Sequence, residues 1–504
     1  MKNLIEIARI VTKKKVRKIE IFDDTALRTK NSKFNEFYEA LMSGKLRNDR
    51  DAATQLYQCS PTDDKYRQLK SRFRKRLLNT LFFLDVNVPS AANYERAYFS
   101  CNKDWTLVKI LLANGAEMTA ADLAASILAT GLKFKFADVI VNCSRILRSW
   151  AAKEGDEKSF EEFDSYIKEY SNVLDAEIRS EELYQRVTMH YHESPIKTRE
   201  LREKMETYCD ALVSLSEIYD SPVVMYNMYL VWAYKYEMTY DFQSMLEVCE
   251  RAEAYMEANP AYWQEEKLEI FQLKKMSAYL HLQDYKNGKI EAEKALQRFE
   301  EGSEMWFTFM ELYLLLALHS DNYLNAYAIF QRAIGQQKFK KLHASEREKW
   351  NIYEVYIEYL LESMPENVAA AAAAKRKGNF RSAKFLNDPV LYPKDQRIFT
   401  VHLVIAQILF FLEKNNEAAV TERIDRLKNY ANRQLKPEEY HRVIAFIRLL
   451  QQLSKAEYQV EELTTVDKYY NRLIENPFFY RGKLQELEII PFEKLWNLIL
   501  AAIK

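Results

Sequence analysis

Seven histidines are the residues best suited to metal binding or proton transfer, and only His190 and His192, in VTMHYHES with Glu193, come close together. In a helix, positions two apart point about 200° apart, so this pair cannot share an ion as the i, i+4 histidines of HExxH do. At the end of a long helical stretch they suit exposed carbonyls instead. Carboxylate pairs stand at Asp23-Asp24, Glu161-Glu162 and Glu181-Glu182. Each has the setting of a solvated helix face, so general acid–base chemistry gains no particular candidate. The five cysteines (Cys59, Cys101, Cys143, Cys209, Cys249) are scattered without a CxxC pair. That argues against a zinc ribbon or a disulfide framework and for small core residues in a reducing compartment. No GxxxxGKS/T, GxGxxG or GxSxG sequence occurs. The expectation is binding rather than catalysis, with no catalytic residue, no metal, no cofactor and no small-molecule substrate.

Lys and Arg supply the second chemical feature. The chain carries 73 Lys/Arg and 73 Asp/Glu, yet residues 1–80 hold 20 Lys/Arg against 10 Asp/Glu, so the remainder is acidic by the same margin. One cluster is Lys13, Lys14, Lys15, Arg17 and Lys18. Another lies on KYRQLKSRFRKRLLNTLFFL, where Tyr66, Leu69, Phe73, Leu77, Leu81 and Leu84 recur at helical spacing behind an N-cap at Asp63 or Asp64. Lys65, Arg67, Lys70, Arg72, Arg74, Lys75 and Arg76 fill the other arc of that helix. Such faces neutralise nucleic-acid phosphates, lie on anionic lipid, enter a partner's groove, pack against an acidic part of the same chain, or are simply solvated. All five readings stay open from the residues alone. KNSKFNEFYEALMSGKLRND carries no recognition-helix pattern.

The elements that position these groups are helices. Only 9 glycines and 11 prolines occur in 504 residues, too few for the hairpin turns of a sheet or the phosphate loops of an α/β fold. From about residue 103 apolar helical segments alternate with short polar breaks, among them Asn114-Gly115, Gly155, Ser194-Pro195, Asn259-Pro260 and Pro437. The stretch 157–193 predicts one extended helix or two in line, and the alanine run Ala369–Ala374 a close helix contact with a partner, an internal helix crossing or a surface helix. The longest uncharged apolar runs, near 222–234 and 401–412, are shorter than the roughly 20 residues that span a bilayer. Glu6 and Arg9 interrupt any leader-like stretch. A cytoplasmic protein without a transmembrane segment is expected.

Three units between 225 and 335 share a pattern. Each has a helix, then Asp or Asn before an aromatic (Asp241-Phe242, Asp284-Tyr285, Asn322-Tyr323), then a second helix with alanine ten residues after the aromatic (Ala252, Ala295, Ala333). The units are spaced by 43 and then 38 residues, and Gly378-Asn379-Phe380 and Asn415-Asn416-Glu417 look like degraded copies of the turn. Tyr236 and Tyr279 place an aromatic in the first helix. Antiparallel helices approach closely only where side chains are small, and bulky rings fill the space between successive hairpins. This pattern resembles the tetratricopeptide repeat (TPR), closely over 225–335 and loosely over 103–220 and 366–475. The spacing exceeds the family's usual period of about 34. The small first-helix position is Ala233 once, then Met276 and Leu314.

The resemblance implies an all-α fold, a right-handed α-solenoid of antiparallel helical hairpins, preceded by a small basic helical domain. The expected divisions are 1–95 (basic, helical), 96–220 (loosely repeat-like hairpins), 221–345 (TPR-like repeats) and 346–504 (further hairpins with an apolar C-terminal helix). By the family's geometry Asn227, Tyr234, Glu237, Ser277, His281, Glu311 and His319 face a concave groove suited to a protein or peptide partner. A non-enzymatic interaction scaffold or adaptor is the function this implies. The alternative is a nucleic-acid-associated regulator, with the basic region on DNA or RNA and the repeats sensing a partner. The closing PFEKLWNLILAAIK either seals the last repeat or forms a dimer contact.

Overall fold

The computed structural model describes residues 33–43, 46, 48–81, 93–192, 199–262, 264–363, 392–393, 396–459, 461, 463 and 466–503. The cluster Lys13, Lys14, Lys15, Arg17 and Lys18, the pair Asp23-Asp24, the break Ser194-Pro195, the run Ala369–Ala374 and the turn Gly378-Asn379-Phe380 lie outside the described residues. Among the described residues there are twenty α-helices and no strand. The chain divides into two compact units. The first comprises 1–178, 219–222 and 259–264, and the second 179–218, 223–258 and 265–504.

In the first unit, α1 (Lys33–Met42), α2 (Asp49–Tyr57) and α3 (Asp64–Leu81) close on one small core of Phe37, Leu41, Ala52, Ala53, Leu56, Tyr66, Leu69, Phe73 and Leu77. The stripe on α3 forms because those residues recur every three or four positions, and Asp63 accepts from the Lys65 amide at 2.9 Å to start the helix. Next, α4 (Asn93–Ala113), α5 (Glu117–Phe134) and α6 (Ala137–Glu154) pack in succession. The stretch 157–192 is one continuous helix, α7 (Glu157–His192), and its residues from 179 onward belong to the second unit.

The second unit continues with α8 (Arg199–Ile218), α9 (Pro222–Met238), α10 (Phe242–Ala258), α11 (Glu265–Leu282), α12 (Tyr285–Ala295), α13 (Glu304–His319), α14 (Tyr323–Ile334) and α15 (Ala344–Glu362). It ends with α16 (Arg397–Glu413), α17 (Glu417–Gln434), α18 (His441–Lys455), α19 (Val466–Glu475) and α20 (Phe492–Ile503). From α10 to α19 each described helix packs on the next, and α11 also packs on α13.

The repeated turn has a physical reason. Tyr240, Gln283, Asp321 and Asn415 adopt the left-handed conformation, with φ of 62°, 54°, 59° and 50°. The amide of the next residue then bonds five residues back, Asp241 to Tyr236 O and Asn322 to Ala317 O among them, ending the first helix. Asp241, Asp284 and Asn416 each accept at 3.1 Å from the amide three residues on, starting the second. Asn322 instead donates to Ser320 O. Ala252, Ala295 and Ala333 are fully buried where helices cross. At Gly288 a Cβ would stand 2.5 Å from the Leu316 side-chain end and 3.0 Å from Tyr279, so any larger residue would force these neighbours of α12 to shift.

Helices α13 and α16 are buried on nearly every side, because the chain returns to cover them. After α19 the segment 476–491 runs without α-helix, apart from a short 3-10 turn at Leu484–Glu486 that packs on α16. Helix α20 then packs on α16, α18 and α19. Its Phe492, Leu495, Trp496 and Ile499 are buried within the same chain, with Phe492 stacked on Phe446 at 4.7 Å.

Candidate functional site

The site is built where α7, α11, α13, α16 and α18 present polar groups to the segment 476–488. An apolar helix tolerates a buried polar group only if it is bonded, so each such group marks a partner. On α13, Glu311 accepts from Tyr480 OH and Tyr353 OH, both at 2.7 Å, and from Lys349 Nζ at 2.6 Å. Burial alone would lower the Lys349 ammonium, but Glu311 and Glu346 outweigh it and hold it above its ordinary value. Burial, and then Glu311, push the Tyr480 and Tyr353 phenols well above the ordinary range.

Three histidines read the main chain of the segment. His281 Nδ1 faces Ser277 O at 2.6 Å and its Nε2 faces the Tyr480 amide at 3.0 Å. The ring is therefore neutral, donating through Nδ1 and accepting through Nε2. His319 donates through Nε2 to Glu488 O at 2.7 Å, and His402 through Nε2 to Leu487 O at 3.0 Å. Burial lowers all three below the usual value, His281 and His402 to about 4 and His319 to about 3. Aromatic rings complete the grip. Phe478 packs on His319 at 4.7 Å and His281 at 5.3 Å, Phe479 on Tyr240 at 4.8 Å, and Phe242 stacks behind His281 at 4.2 Å.

Arg481 donates to the carbonyl of Tyr191, pairs with Glu486 and lies over the Tyr191 ring at 5.4 Å. Both ends of the segment are pinned. Arg442 donates to the carbonyls of Leu473 and Asn476 and pairs with Glu488 and Glu493. Burial raises the Glu488 carboxyl against the opposing pull of Arg442. Two cavities flank the segment. One of about 690 Å³ is bounded by Glu237, Lys274, Ser277, Glu311, Tyr480 and Arg481, and one of about 530 Å³ by Tyr240, Arg442, Phe479, Lys483 and Glu486.

The residues anticipated from sequence fall in three places. Glu237, Ser277 and Glu311 line the larger of these two cavities, Glu237 in an ion pair with partly buried Lys274. Tyr234 lies beneath Lys274, 4.3 Å from its ammonium, and against Tyr191 at 4.6 Å. His281 and His319 hold the C-terminal segment. Asn227 is buried elsewhere, donating to Ser180 Oγ at 2.9 Å. Sequence reasoning did not find Tyr191, Lys274, Lys349, Tyr353, His402, Arg442 or the segment itself. The available signals were charged residues inside apolar first helices and a proline-bracketed, glycine-containing stretch, NPFFYRGKLQELEIIP, between two helices.

On α3, Lys65, Arg67, Arg72, Arg74 and Lys75 are exposed. Arg67 lies 3.6 Å from Asp64, Lys70 pairs with Asp49 at 2.7 Å, and Arg76 sits over the Phe34 ring at 4.6 Å. His190 and His192 fall at the end of α7. Cys101, Cys143, Cys209 and Cys249 are buried thiols, and burial raises all four. Among the described residues no helix is long and apolar enough to cross a membrane, and no group of His, Cys, Asp or Glu is arranged to hold a metal ion. The arrangement holds non-helical main chain, a phenol and a guanidinium. No family model, curated protein or solved structure matches the chain.

Proposed function

We propose that the chain is a non-enzymatic interaction protein, a TPR-like right-handed solenoid whose concave first-helix face binds an extended stretch of a protein partner. The observation that carries this reading is the reach of His281, His319 and His402 to main-chain atoms of a non-helical segment. A face that bonds main chain is suited to extended peptides, with side-chain pockets adding selectivity. The test is recovery of partners on tagged full-length protein with and without nuclease. A discrete protein that survives nuclease, and is lost from a Glu311→Gln, His281→Gln variant, is expected. Recovery that collapses with nuclease would contradict it.

A second reading, contact with nucleic acid through the N-terminal basic region, is favoured by the exposed Lys65, Arg72, Arg74 and Lys75 on α3. It requires binding to generic duplex that weakens steeply with salt. Absence of such binding at low salt removes it.

A further inference from the structure

The segment 477–486 has the features of a bound peptide. It lacks α-helix, its ends are fixed, and cavities of about 690 and 530 Å³ lie on its two sides. What touches it defines the chemistry the face accepts. The Tyr480 amide meets a histidine nitrogen that can only accept, because the other ring nitrogen is committed to Ser277 O. Phe478 lies on two imidazole rings, and the Tyr480 hydroxyl enters the Glu311 carboxylate. Arg481 meets a carbonyl in the last turn of α7, where the helix carries partial negative charge, and the face of Tyr191.

We infer that this face binds an extended peptide of aromatic–aromatic–Tyr–Arg type, and that residues 477–486 occupy the site in cis until such a partner displaces them. The inference rests on the peptide-binding reading above and assigns that site its ligand class. The floor accepts donors at both positions: at the Tyr480 position it offers the Glu311 carboxylate, to which Tyr353 and Lys349 also donate, and at the Arg481 position a carbonyl and a π face. Displacement is local. Arg442 keeps hold of the carbonyls of Leu473 and Asn476, His402 keeps hold of Leu487 O, and the ten residues between have cavities beside them. A tethered occupant acts as a ligand at millimolar effective concentration, so a free peptide binds the intact chain far more weakly than a chain whose own segment is impaired.

The probe is a fluorescein-labelled peptide with the sequence of residues 474–488, followed by anisotropy on the full-length chain. A control peptide has Ala at the positions of Phe478, Tyr480 and Arg481. The chain variants are Tyr480→Ala, Arg481→Ala together and, as a milder change that leaves buried Tyr480 in place, Arg481→Gln alone. Expected affinity rises in the order wild type, Arg481→Gln, double variant, with the double variant at least about tenfold tighter than wild type. The control peptide binds none of them, and adding Glu311→Gln to the double variant weakens the probe. If the double variant loses its cooperative melt, Arg481→Gln against wild type decides the matter. Equal binding of the probe to wild type and the folded variants overturns occupation in cis. Equal binding of probe and control overturns the ligand class. A partner captured on the His281/Glu311 face equally by wild type and variants would preserve the peptide-binding reading while removing this one. Loss of all peptide and partner binding from folded variants would remove both.

Discussion

Between Pro477 and Glu486 the C-terminal segment is held mainly by directed contacts, to His281, Glu311 and Tyr191, with Phe479 and Tyr480 also buried, whereas from Leu487 onward apolar burial dominates beside the bonds to His402, His319 and Arg442. Leu487, Ile489, Ile490, Phe492, Leu495, Trp496 and Ile499 are all buried. The first stretch borders two cavities through Phe479, Tyr480 and Arg481. Directed contacts can be exchanged one for one with those of a ligand. A packed apolar surface cannot be lifted without exposing its partners on α16 and α18. One stretch is thus an occupant and the other part of the core, and substitutions in each should have separable effects.

Trp496→Ala should have the largest effect, about 3–5 kcal/mol, read as a lowered midpoint of chemical unfolding, because a large buried ring leaves a cavity. Tyr480→Ala should shift that midpoint by less than half as much, since its loss is limited by the free energy of opening the segment alone. Equal shifts would erase the distinction. Arg442→Met should cost about 3 kcal/mol, because Glu488 stays buried without its cation, and it should loosen both stretches at once. Tyr480→Phe removes only the hydroxyl bond to Glu311 and should cost about 1–2 kcal/mol, visible in opening of the first stretch and not in global unfolding.

Acid sharpens the comparison in a different way. Unfolded histidines take up protons below about pH 6.5, while folded His281 and His402 stay neutral until about 4 and His319 until about 3. Unfolding therefore binds protons in this window, and their contribution to stability is full above pH 6.5 and falls as the pH drops towards 4. Potentiometric or calorimetric proton uptake at pH 5 should fall by about one proton in His402→Gln and again in His281→Gln. Only His281→Gln should loosen Tyr480, because His402 holds Leu487 O.

The helical class and the turns were legible because their causes are local. Asp241, Asp284 and Asn416 cap the helices that follow them, and glycine scarcity argues against sheet without reference to any distant residue. The stripe of α3 was legible for the same reason. Its use of Lys70 and Arg76 was not, since Asp49 and Phe34 lie on other helices. Glu237, Ser277 and Glu311 line one cavity, but nothing in their spacing pointed to the segment beside it. Tyr480 and His281 are 199 residues apart, and His319 and Glu488 are 169 apart, so no spacing rule connects them. Helices α13 and α16 hid their inner faces because a helix buried all round shows little periodicity.

Amide hydrogen exchange of the full-length chain at low denaturant separates occupant from core at two amides that each bond to a side chain at 3.0 Å: Tyr480 to His281 and Phe492 to Glu488. Tyr480 should exchange through a low-energy opening insensitive to denaturant, while Phe492 should exchange only through unfolding of its whole unit. Exchange of both amides with one free energy and one denaturant dependence would show the segment to be core throughout, and would contradict its role as a displaceable occupant.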